Sequence, residues 1–299
     1  MLREVFESDI AIIGHFAKDI IEIDGVSKSA LGGSVFYGGI AGSRMGLKVA
    51  IITRLKSEDF PDLDIFDKNN IKYFTNPAKE TSGIKNTYLS QNMEFRSYKT
   101  LGFAGAFTKE EIPKIDTKYF VIGPILAGEI DLELLEYLSE LYSGKLALDI
   151  QGFIRGLKDN KIQYYDLTEK EKLEIISKVN YLKVDTTEAK ILTNLSSIPK
   201  AAKLLNKLGP KEVLITHEKG VNVSVNHNSY FFPWKNKGSI GRTGRGDTAF
   251  ISYLGSRITK NPEESLRFSA ALTSLKMESM GPFSLPLSRV KRLIEEEYS

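Results

Sequence analysis

Short apolar runs alternate with helical patterns along most of this 299-residue chain, and this alternation restricts its fold more than any other feature. Seven runs predict buried strands, at 10–13, 48–53, 71–74, 119–122, 146–150, 181–184 and 212–216. Apolar residues at helical spacing predict helices at 58–69, 132–141, 262–277 and 286–297. The pattern predicts one α/β domain over residues 1–299, a three-layer doubly wound and mainly parallel sheet with helices on both faces.

Two segments interrupt this rhythm. Residues 20–30 alternate apolar and polar side chains around the turn Asp24-Gly25. Residues 84–100 contain two further strand patterns, at 86–90 and 93–98, on either side of Gln91-Asn92. We expect the two segments to form a small β-sheet lid on one side of the α/β body.

Composition excludes several classes of protein. The chain has no cysteine and three histidines, so disulfides, thiolate catalysis and zinc sites built on sulfur are ruled out. A net charge of +3 is too mild to indicate nucleic-acid binding. No apolar run approaches the ~20 residues of a membrane span, and the acidic N-terminus is unlike a signal peptide. We therefore expect a cytoplasmic protein that binds neither nucleic acid nor a membrane.

A glycine-rich turn directly precedes an apolar helical pattern near residue 250. Gly244 and Gly246 bracket Arg245, and Asp247 follows at once. Glycines allow close approach of a ligand, and the free N–H groups of a helix N-terminus attract anions, phosphate above all. Asp247 is then suited to accept a proton from a hydroxyl that attacks the bound phosphoryl group. An ordinary N-cap carboxylate is the alternative.

Polar side chains also follow the predicted strands, where open α/β sheets bind their ligands. Asp19 comes after the first strand and is a candidate for holding substrate hydroxyls, or else a surface acid at a loop edge. Asp185 and Glu188 have the spacing of a capping box. The same two carboxylates are also suited to hold Mg²⁺ through water beside a phosphate site.

Together these blocks resemble the ribokinase-like (PfkB) family of sugar and nucleoside kinases. The family signature Asp-Thr-x-Gly-Ala-Gly-Asp appears as residues 241–247, with Gly241 in place of the first Asp and Arg245 in place of Ala. The family's N-terminal glycine pair matches Gly32-Gly33. Its substrate-binding Asp, five residues past the first-strand glycine, matches Asp19. The order and spacing agree across nearly the whole chain.

The resemblance implies ATP-dependent phosphoryl transfer assisted by Mg²⁺. It implies that Asp247 is the base and that backbone N–H groups of Gly244, Arg245, Gly246 and Asp247 form an anion hole. The family's Asn-x-x-Glu magnesium motif appears with Asp185 in place of Asn, followed by Glu188. The remaining implied residues bind the nucleotide (Lys183, Thr216, Lys219, Gly220) and the acceptor (Asp19, Gly32, Gly33, Gln151, Arg155).

Residues 149–155, 183–185 and 218–220 further resemble the branch that contains myo-inositol kinases. The implied acceptor is a small polyol or sugar, with myo-inositol first. A nucleoside acceptor, clamped by Phe36, Tyr37 or Tyr98, remains the alternative within the family, and a binding protein without catalysis is the alternative outside it. The resemblance leaves open a monovalent-cation requirement, a role for Arg245 beside the phosphates, and a homodimer formed through the lid.

Overall fold

The computed structural model describes residues 5–88, 96–158, 161–226 and 228–298, which form two sheets with helices around the larger one. The strands are β1 Phe6–Ile13, β2 Ala17–Ile23, β3 Val26–Gly32, β4 Val49–Leu55, β5 Lys72–Pro77, β6 Gly83–Tyr88, β7 Arg96–Gly102, β8 Ile115–Ile122, β9 Leu146–Asp149, β10 Arg155–Lys158, β11 Lys161–Tyr164, β12 Tyr181–Asp185, β13 Glu212–His217, β14 Gly220–Val225 and β15 Asn228–Pro233. The helices are α1 Ser34–Arg44, α2 Asp64–Asp67, α3 Leu132–Leu141, α4 Gln151–Ile154, α5 Glu169–Ile176, α6 Thr186–Thr193, α7 Ile198–Lys207, α8 Arg245–Arg257, α9 Pro262–Met277 and α10 Leu287–Glu297.

The larger sheet has nine strands in the order β15-β14-β13-β12-β9-β8-β1-β4-β5. Its seven strands from β13 to β5 run parallel, and β14 and β15 form an antiparallel hairpin at one edge. Neighbouring residues of β1 point to opposite faces: Ile10 and Ile12 lie in one apolar cluster, and Ala11 and Ile13 in the other. The predicted doubly wound, mainly parallel sheet is thereby confirmed.

The smaller sheet has six strands in the order β10-β11-β7-β6-β2-β3. It contains parts of both segments that interrupt the sequence pattern, with β2 and β3 as a hairpin and β6 pairing with β7. Residues 89–95 of the second segment lie outside the described residues. The sheet also contains β10 and β11, a third segment that the sequence analysis did not predict.

One predicted helix is wrong in its form. Residues 58–69 were expected to form a single helix, whereas the structure has a 3₁₀ helix over Ser57–Leu63 followed by the short α2. Pro61 lies inside this stretch and has no N–H for a helical hydrogen bond. By contrast, α3 and α9 have the predicted bounds. None of the described helices has the length and apolar character that crossing a membrane requires.

Candidate active site

The carboxyl ends of the parallel strands bring the candidate site residues to one edge of the larger sheet. Lys183 of β12 pairs in register with Asp149 at the end of β9. Asp185, the last residue of β12, pairs with Thr216 of β13. The α8 N-terminus, with Asp247, lies at the same edge, because an added Cβ on Gly246 would be 3.1 Å from the Lys183 Nζ.

The glycine turn is held in one conformation by close backbone contacts. Gly244 is the N-cap of α8 and has a φ of 80°, which glycine adopts without strain. A Cβ on Gly244 would lie 2.2 Å from the Tyr37 ring, and a Cβ on Gly241 would lie 1.8 Å from the carbonyl oxygen of Ser279. Gly241 therefore has no room for the aspartate of the family signature.

The first N–H groups of α8 are available to a ligand. Arg245 N–H donates to the carbonyl of Arg242, and Thr248 N–H donates to the carbonyl of Gly244. Within the described residues, the N–H groups of Gly244, Gly246 and Asp247 donate to no protein acceptor. Three unpaired donors at a helix N-terminus are the arrangement that binds phosphate.

Asp247 lies in the first turn of α8, beside these donors. The N-cap is Gly244, so the alternative of an ordinary N-cap carboxylate is wrong. Burial raises the pKa of Asp247, and the nearby Asp149 raises it further, while Lys183, a hydrogen bond from Ser34, and Arg155 oppose the shift. A carboxylate with a raised pKa binds a proton more readily, as a general base requires.

A small polar cavity of about 80 Å³ opens beside Asp247. It is lined by Asp19, Gly33, Ser34, Tyr37, Ile84, Asn86, Gly123, Ile125, Gln151, Arg155, Thr243, Gly244 and Asp247. Four of the five predicted acceptor residues line it. Gly32 does not, but an added Cβ there would lie 2.4 Å from Asp19 Oδ2, so Gly32 leaves room for that carboxylate.

The acceptor residues are fixed by hydrogen bonds to the backbone. Asp19 Oδ1 accepts a hydrogen bond of 2.8 Å from the Ile84 N–H. Arg155 donates to the carbonyl of Ile125 from Nε at 3.1 Å and from a terminal nitrogen at 2.9 Å. The buried Glu129 accepts from the N–H of Ile125 at 2.6 Å, so both the N–H and the carbonyl of this residue in the cavity wall are held by buried side chains.

A buried charge cluster stands on the other side of the turn. Lys183 Nζ lies 2.9 Å from Asp149 and 3.7 Å from Glu188. Burial lowers the pKa of Lys183, but the attraction of Asp149, Glu188, Asp185 and Asp247 outweighs it and leaves the pKa raised. Burial also raises the pKa of Glu188, with a further contribution from Asp185.

The predicted magnesium residues form the capping box that the sequence analysis weighed against metal binding. Asp185 accepts from the N–H of Glu188 at 2.9 Å, and Glu188 accepts from the N–H of Asp185 at 2.6 Å. The Lys183 ammonium already lies beside Glu188, and the described residues contain no group of three ligands suited to a metal. This donor set fits Mg²⁺ only through water, with the partly exposed Asp185 nearest the solvent.

The predicted nucleotide residues lie where β13 turns into β14. Thr216 is buried beside Asp185, and Lys219 occupies the two-residue turn before Gly220. A Cβ on Gly220 would lie 2.3 Å from the carbonyl of Phe232, so the paired strand β15 leaves no room for a side chain at this position. Arg245 lies over the ring of Trp234 at 5.8 Å.

Three residues of the site were missed by the sequence analysis. Ser34 hydrogen-bonds to Asp247, and Asn86 lines the cavity from the smaller sheet. Lys276 of α9 is 1% exposed, and its ammonium group donates to the carbonyls of Gly241 and Thr243. Lys276 did carry a signal, because it is the one charged residue between Phe268 and Met277.

Comparisons with known proteins agree with this geometry. The profile of the pfkB family carbohydrate kinases matches residues 43–287. A cytidine kinase of Thermococcus kodakarensis is 27% identical over 290 residues, covering 93% of this chain and 99% of that protein.

Solved structures give the same result. A pyrophosphate-dependent kinase of the ribokinase family, complexed with a pyrophosphate analogue and myo-inositol, superposes with a TM-score of 0.85 at 28% identity, covering 95% of this chain and 99% of that one. Thermotoga maritima ribokinase superposes with a TM-score of 0.75 at 19% identity, covering 96% and 99%, and so shares the fold.

The fold and the site define a ribokinase-like phosphotransferase that acts on an alcohol group. The chain belongs to the pfkB family of carbohydrate kinases. The resemblance drawn from the glycine turn and the strand-end residues is thereby confirmed.

Proposed function

We propose that this protein transfers the γ-phosphoryl group of ATP to a hydroxyl of a small polyol, with myo-inositol as the first candidate. The observation that carries the proposal is the position of Asp247, which lines a small polar cavity and whose own N–H is one of three that have no acceptor among the described residues. A hydroxyl bound in the cavity lies next to a proton acceptor and an anion site at once.

In the proposed reaction the hydroxyl oxygen forms a bond to the γ-phosphorus, and the bond from that phosphorus to the leaving oxygen of the donor breaks. Asp247 accepts the hydroxyl proton. The N–H groups of Gly244, Gly246 and Asp247 stabilise the charge of the transferring group, since preorganised donors cost no reorganisation during the reaction. The Lys183 ammonium, close to Gly246, adds positive charge on the donor side.

Mg²⁺ bound to the donor would neutralise phosphate charge and hold the phosphates in line. Asp185 and Glu188 are the residues that would hold its water ligands. Thr216 and Lys219 are the proposed nucleotide contacts, because Thr216 pairs with Asp185 at the end of β13 and Lys219 lies in the turn that follows. The sequence leaves open whether the reaction requires a monovalent cation.

The cavity favours a polyol over a nucleoside. Its volume of about 80 Å³ is far below the roughly 300–1,000 Å³ of ordinary ligand clefts. Asp19, Asn86, Gln151 and Arg155 offer hydrogen-bonding groups suited to several hydroxyls.

Of the aromatic residues considered for a nucleobase clamp, Phe36 and Tyr37 are both engaged in packing contacts. Phe36 packs edge-to-face on Phe16 at 6.2 Å, and the Tyr37 ring packs against Gly244. The side chain of Tyr98 lies outside the described part of the structure.

Two alternatives are supported by the comparisons. The relative named as a cytidine kinase favours a nucleoside acceptor. The structural neighbour named as pyrophosphate-dependent favours inorganic pyrophosphate as the phosphoryl donor. The cytoplasmic location and the homodimer through the smaller sheet stay predictions from the sequence.

A kinase assay with two donors and a panel of acceptors tests the proposal. ATP–Mg²⁺ and pyrophosphate–Mg²⁺ are each supplied with myo-inositol, several hexoses, ribose, adenosine, inosine and cytidine, and the phosphorylated product is quantified. Asp247→Asn is the control for non-enzymatic transfer. Turnover of myo-inositol with ATP that disappears in the variant supports the proposal. Turnover of cytidine but not of myo-inositol would replace the proposed acceptor. Turnover with pyrophosphate but not with ATP would replace the proposed donor.

A further inference from the structure

A buried lysine stands directly beneath the glycine turn and takes no part in the reaction as proposed above. The Lys276 side chain is 1% exposed and projects from the last turn of α9. Its ammonium group donates to the carbonyl oxygens of Gly241 and Thr243 and lies 4.9 Å from the centre of the Tyr37 ring. An ammonium group has three N–H donors, so two carbonyls and one ring face satisfy it.

The position of Lys276 is specified by the backbone around it. Gly241 N–H donates to the carbonyl of Met277 at 2.9 Å, which fixes the turn on the carboxyl end of α9. Gly241 has no space for a side chain, and Gly244 lies against Tyr37. The two carbonyls therefore converge on one point, which is how a protein surrounds a bare cation.

The contact with Thr243 acts on the anion-binding donors through one peptide unit. The carbonyl of Thr243 and the N–H of Gly244 belong to the same amide group. A cation on the oxygen polarises that amide and makes its N–H a stronger donor, since hydrogen bonds in a chain reinforce one another. The Gly244 N–H is one of the three donors that have no acceptor in the part of the chain that the structure describes.

We propose that Lys276 is a positioning residue for phosphoryl transfer, and that its ammonium group is a built-in monovalent cation that holds and polarises the turn. The enzyme then needs no free monovalent cation. The proposal rests on the proposed function only in that phosphate binds at this turn. Bound phosphate also favours the charged form of Lys276, because an anion raises the pKa of a nearby amine.

The first test uses the wild-type protein alone and so does not depend on a variant that folds. Phosphoryl transfer is measured with K⁺, Na⁺ or NH₄⁺ and with tetramethylammonium, which is too large to enter the site, at constant ionic strength. We expect kcat to differ by less than about twofold among the four salts. An increase of tenfold or more with K⁺ or NH₄⁺ would overturn the proposal, since the carbonyl site would then be filled from solution.

The second test removes the ammonium group. We expect Lys276→Ala to lower kcat by about 10- to 100-fold, less than the 10²–10³-fold loss of a direct donor, because Lys276 acts through the Gly244 amide. Ammonium or methylammonium should restore a large part of the activity, and tetramethylammonium should not. Ser274→Ala is the matched control, because Ser274 is a buried polar residue on the same turn of α9 whose hydroxyl contacts Ala270 and Lys235 instead.

A binding measurement separates this proposal from the proposed function. Inorganic tripolyphosphate is titrated into wild type, Lys276→Met and Ser274→Ala by calorimetry, which requires no acceptor and no turnover. Weaker binding by Lys276→Met alone, by tenfold or more, supports the proposal even if the acceptor assay finds no substrate. Equal binding by Lys276→Met and wild type, or no binding by wild type, overturns it whatever the acceptor is.

Discussion

Two buried lysines flank the glycine turn, and their surroundings are opposite in kind. Lys183 lies among carboxylates, 2.9 Å from Asp149 and 3.7 Å from Glu188. Among the described residues, the ammonium group of Lys276 contacts two carbonyl groups and the face of a ring. The pKa of Lys183 is raised although burial opposes the shift, whereas burial lowers the pKa of Lys276 to about 7, against the attraction of Asp247.

The difference shows two ways in which a fold places positive charge beside a phosphate site. The negative charges of the carboxylates keep Lys183 protonated, but they also cancel part of its electric field at the phosphoryl donor. Carbonyl dipoles leave the charge of Lys276 uncancelled, and it depends on pH and on the bound anion. We infer that the first lysine is the structural member of the pair and the second is the responsive one.

The largest expected effect comes from replacing Asp247, whose carboxylate attracts both lysines electrostatically. Asp247→Asn removes the proton acceptor and keeps the shape of the side chain. We expect kcat to fall by about 10²–10⁴-fold, the usual contribution of a general base. Steady-state kinetics with the acceptor identified in the panel measures this effect.

Asp131→Asn is the matched control, because Asp131 caps α3 and accepts from Leu134 N–H far from the turn. It should keep its kcat within about twofold and its stability nearly unchanged, because Asn caps a helix about as well as Asp. If Asp247→Asn retained a tenth of the wild-type rate, Asp247 would not be the base. The two lysines would then contribute only through the glycine turn.

The second prediction concerns stability and separates the lysines directly. Lys183→Met leaves buried carboxylates uncompensated, so the free energy of unfolding should fall by about 3–5 kcal/mol, as it does when one partner of a buried ion pair is removed. Lys276→Met leaves two carbonyls without a donor but no unpaired charge. Its loss should be smaller, because removing the buried ammonium group also removes the desolvation cost that lowers its pKa, and this offsets part of the roughly 1–3 kcal/mol that each unsatisfied carbonyl costs.

Urea unfolding at pH 7 measures both values. Equal losses would contradict the distinction between a carboxylate-bound and a dipole-bound lysine. A larger loss for Lys276→Met would reverse the structural and responsive roles that we assign.

The sequence predicted the parts of the site that follow from local pattern. Glycines before an apolar helix marked the turn of Gly244 and Gly246, and polar residues after apolar strands marked Asp19 and Asp185. These signals are local because parallel strands end at one edge of the sheet, and that edge collects whatever follows each strand.

Lys276 was missed because its partners are backbone carbonyls that have no signature in the sequence. The strands β10 and β11 were missed for a related reason: each is four residues long, and their place beside β7 is set by pairing between distant segments. Such pairing is decided by tertiary context rather than by strand propensity.

The third prediction uses pH to distinguish the lysines in the ligand-free protein. Between pH 7 and 10.5 the unfolded chain holds a proton on Lys276 that the folded chain has released. The free energy of unfolding should therefore rise with pH, relative to Lys276→Met, by up to about 1.4 kcal/mol per pH unit. The pKa of Lys183 is raised above its ordinary value, so both states keep the Lys183 proton below pH 10 and Lys183 itself contributes no slope. Any slope in the difference between wild type and Lys183→Met then comes from Glu188, whose pKa Lys183 lowers.

Urea unfolding from pH 7 to 10 gives the two difference curves. A flat curve for Lys276 would mean that the carbonyls hold its charge as firmly as carboxylates hold that of Lys183. The proposed difference between a carboxylate-bound lysine and a dipole-bound lysine would then be wrong.

The smallest expected effect tests a third cation of the turn, Arg245, which replaces the alanine of the family signature. Its guanidinium lies 5.8 Å from the centre of the Trp234 ring, and the indole N–H of Trp234 donates to the carbonyl of His217 at 2.8 Å. We expect Arg245→Met to raise the KM of the donor by about 3- to 10-fold, corresponding to about 1 kcal/mol of a screened phosphate contact. The KM of the acceptor should not change.

Arg267→Met is the matched control, since Arg267 also lies over an aromatic ring, that of Phe232 at 5.3 Å, on α9. Donor kinetics at low and high salt test the role beside the phosphates that the sequence left open for Arg245. An effect of Arg245→Met that shrinks at high salt assigns Arg245 to the phosphates, because solvent-exposed charges are screened by ions. Equal donor KM values for the two variants would reduce Arg245 to its contact with Trp234 and leave the two lysines as the cations of the turn.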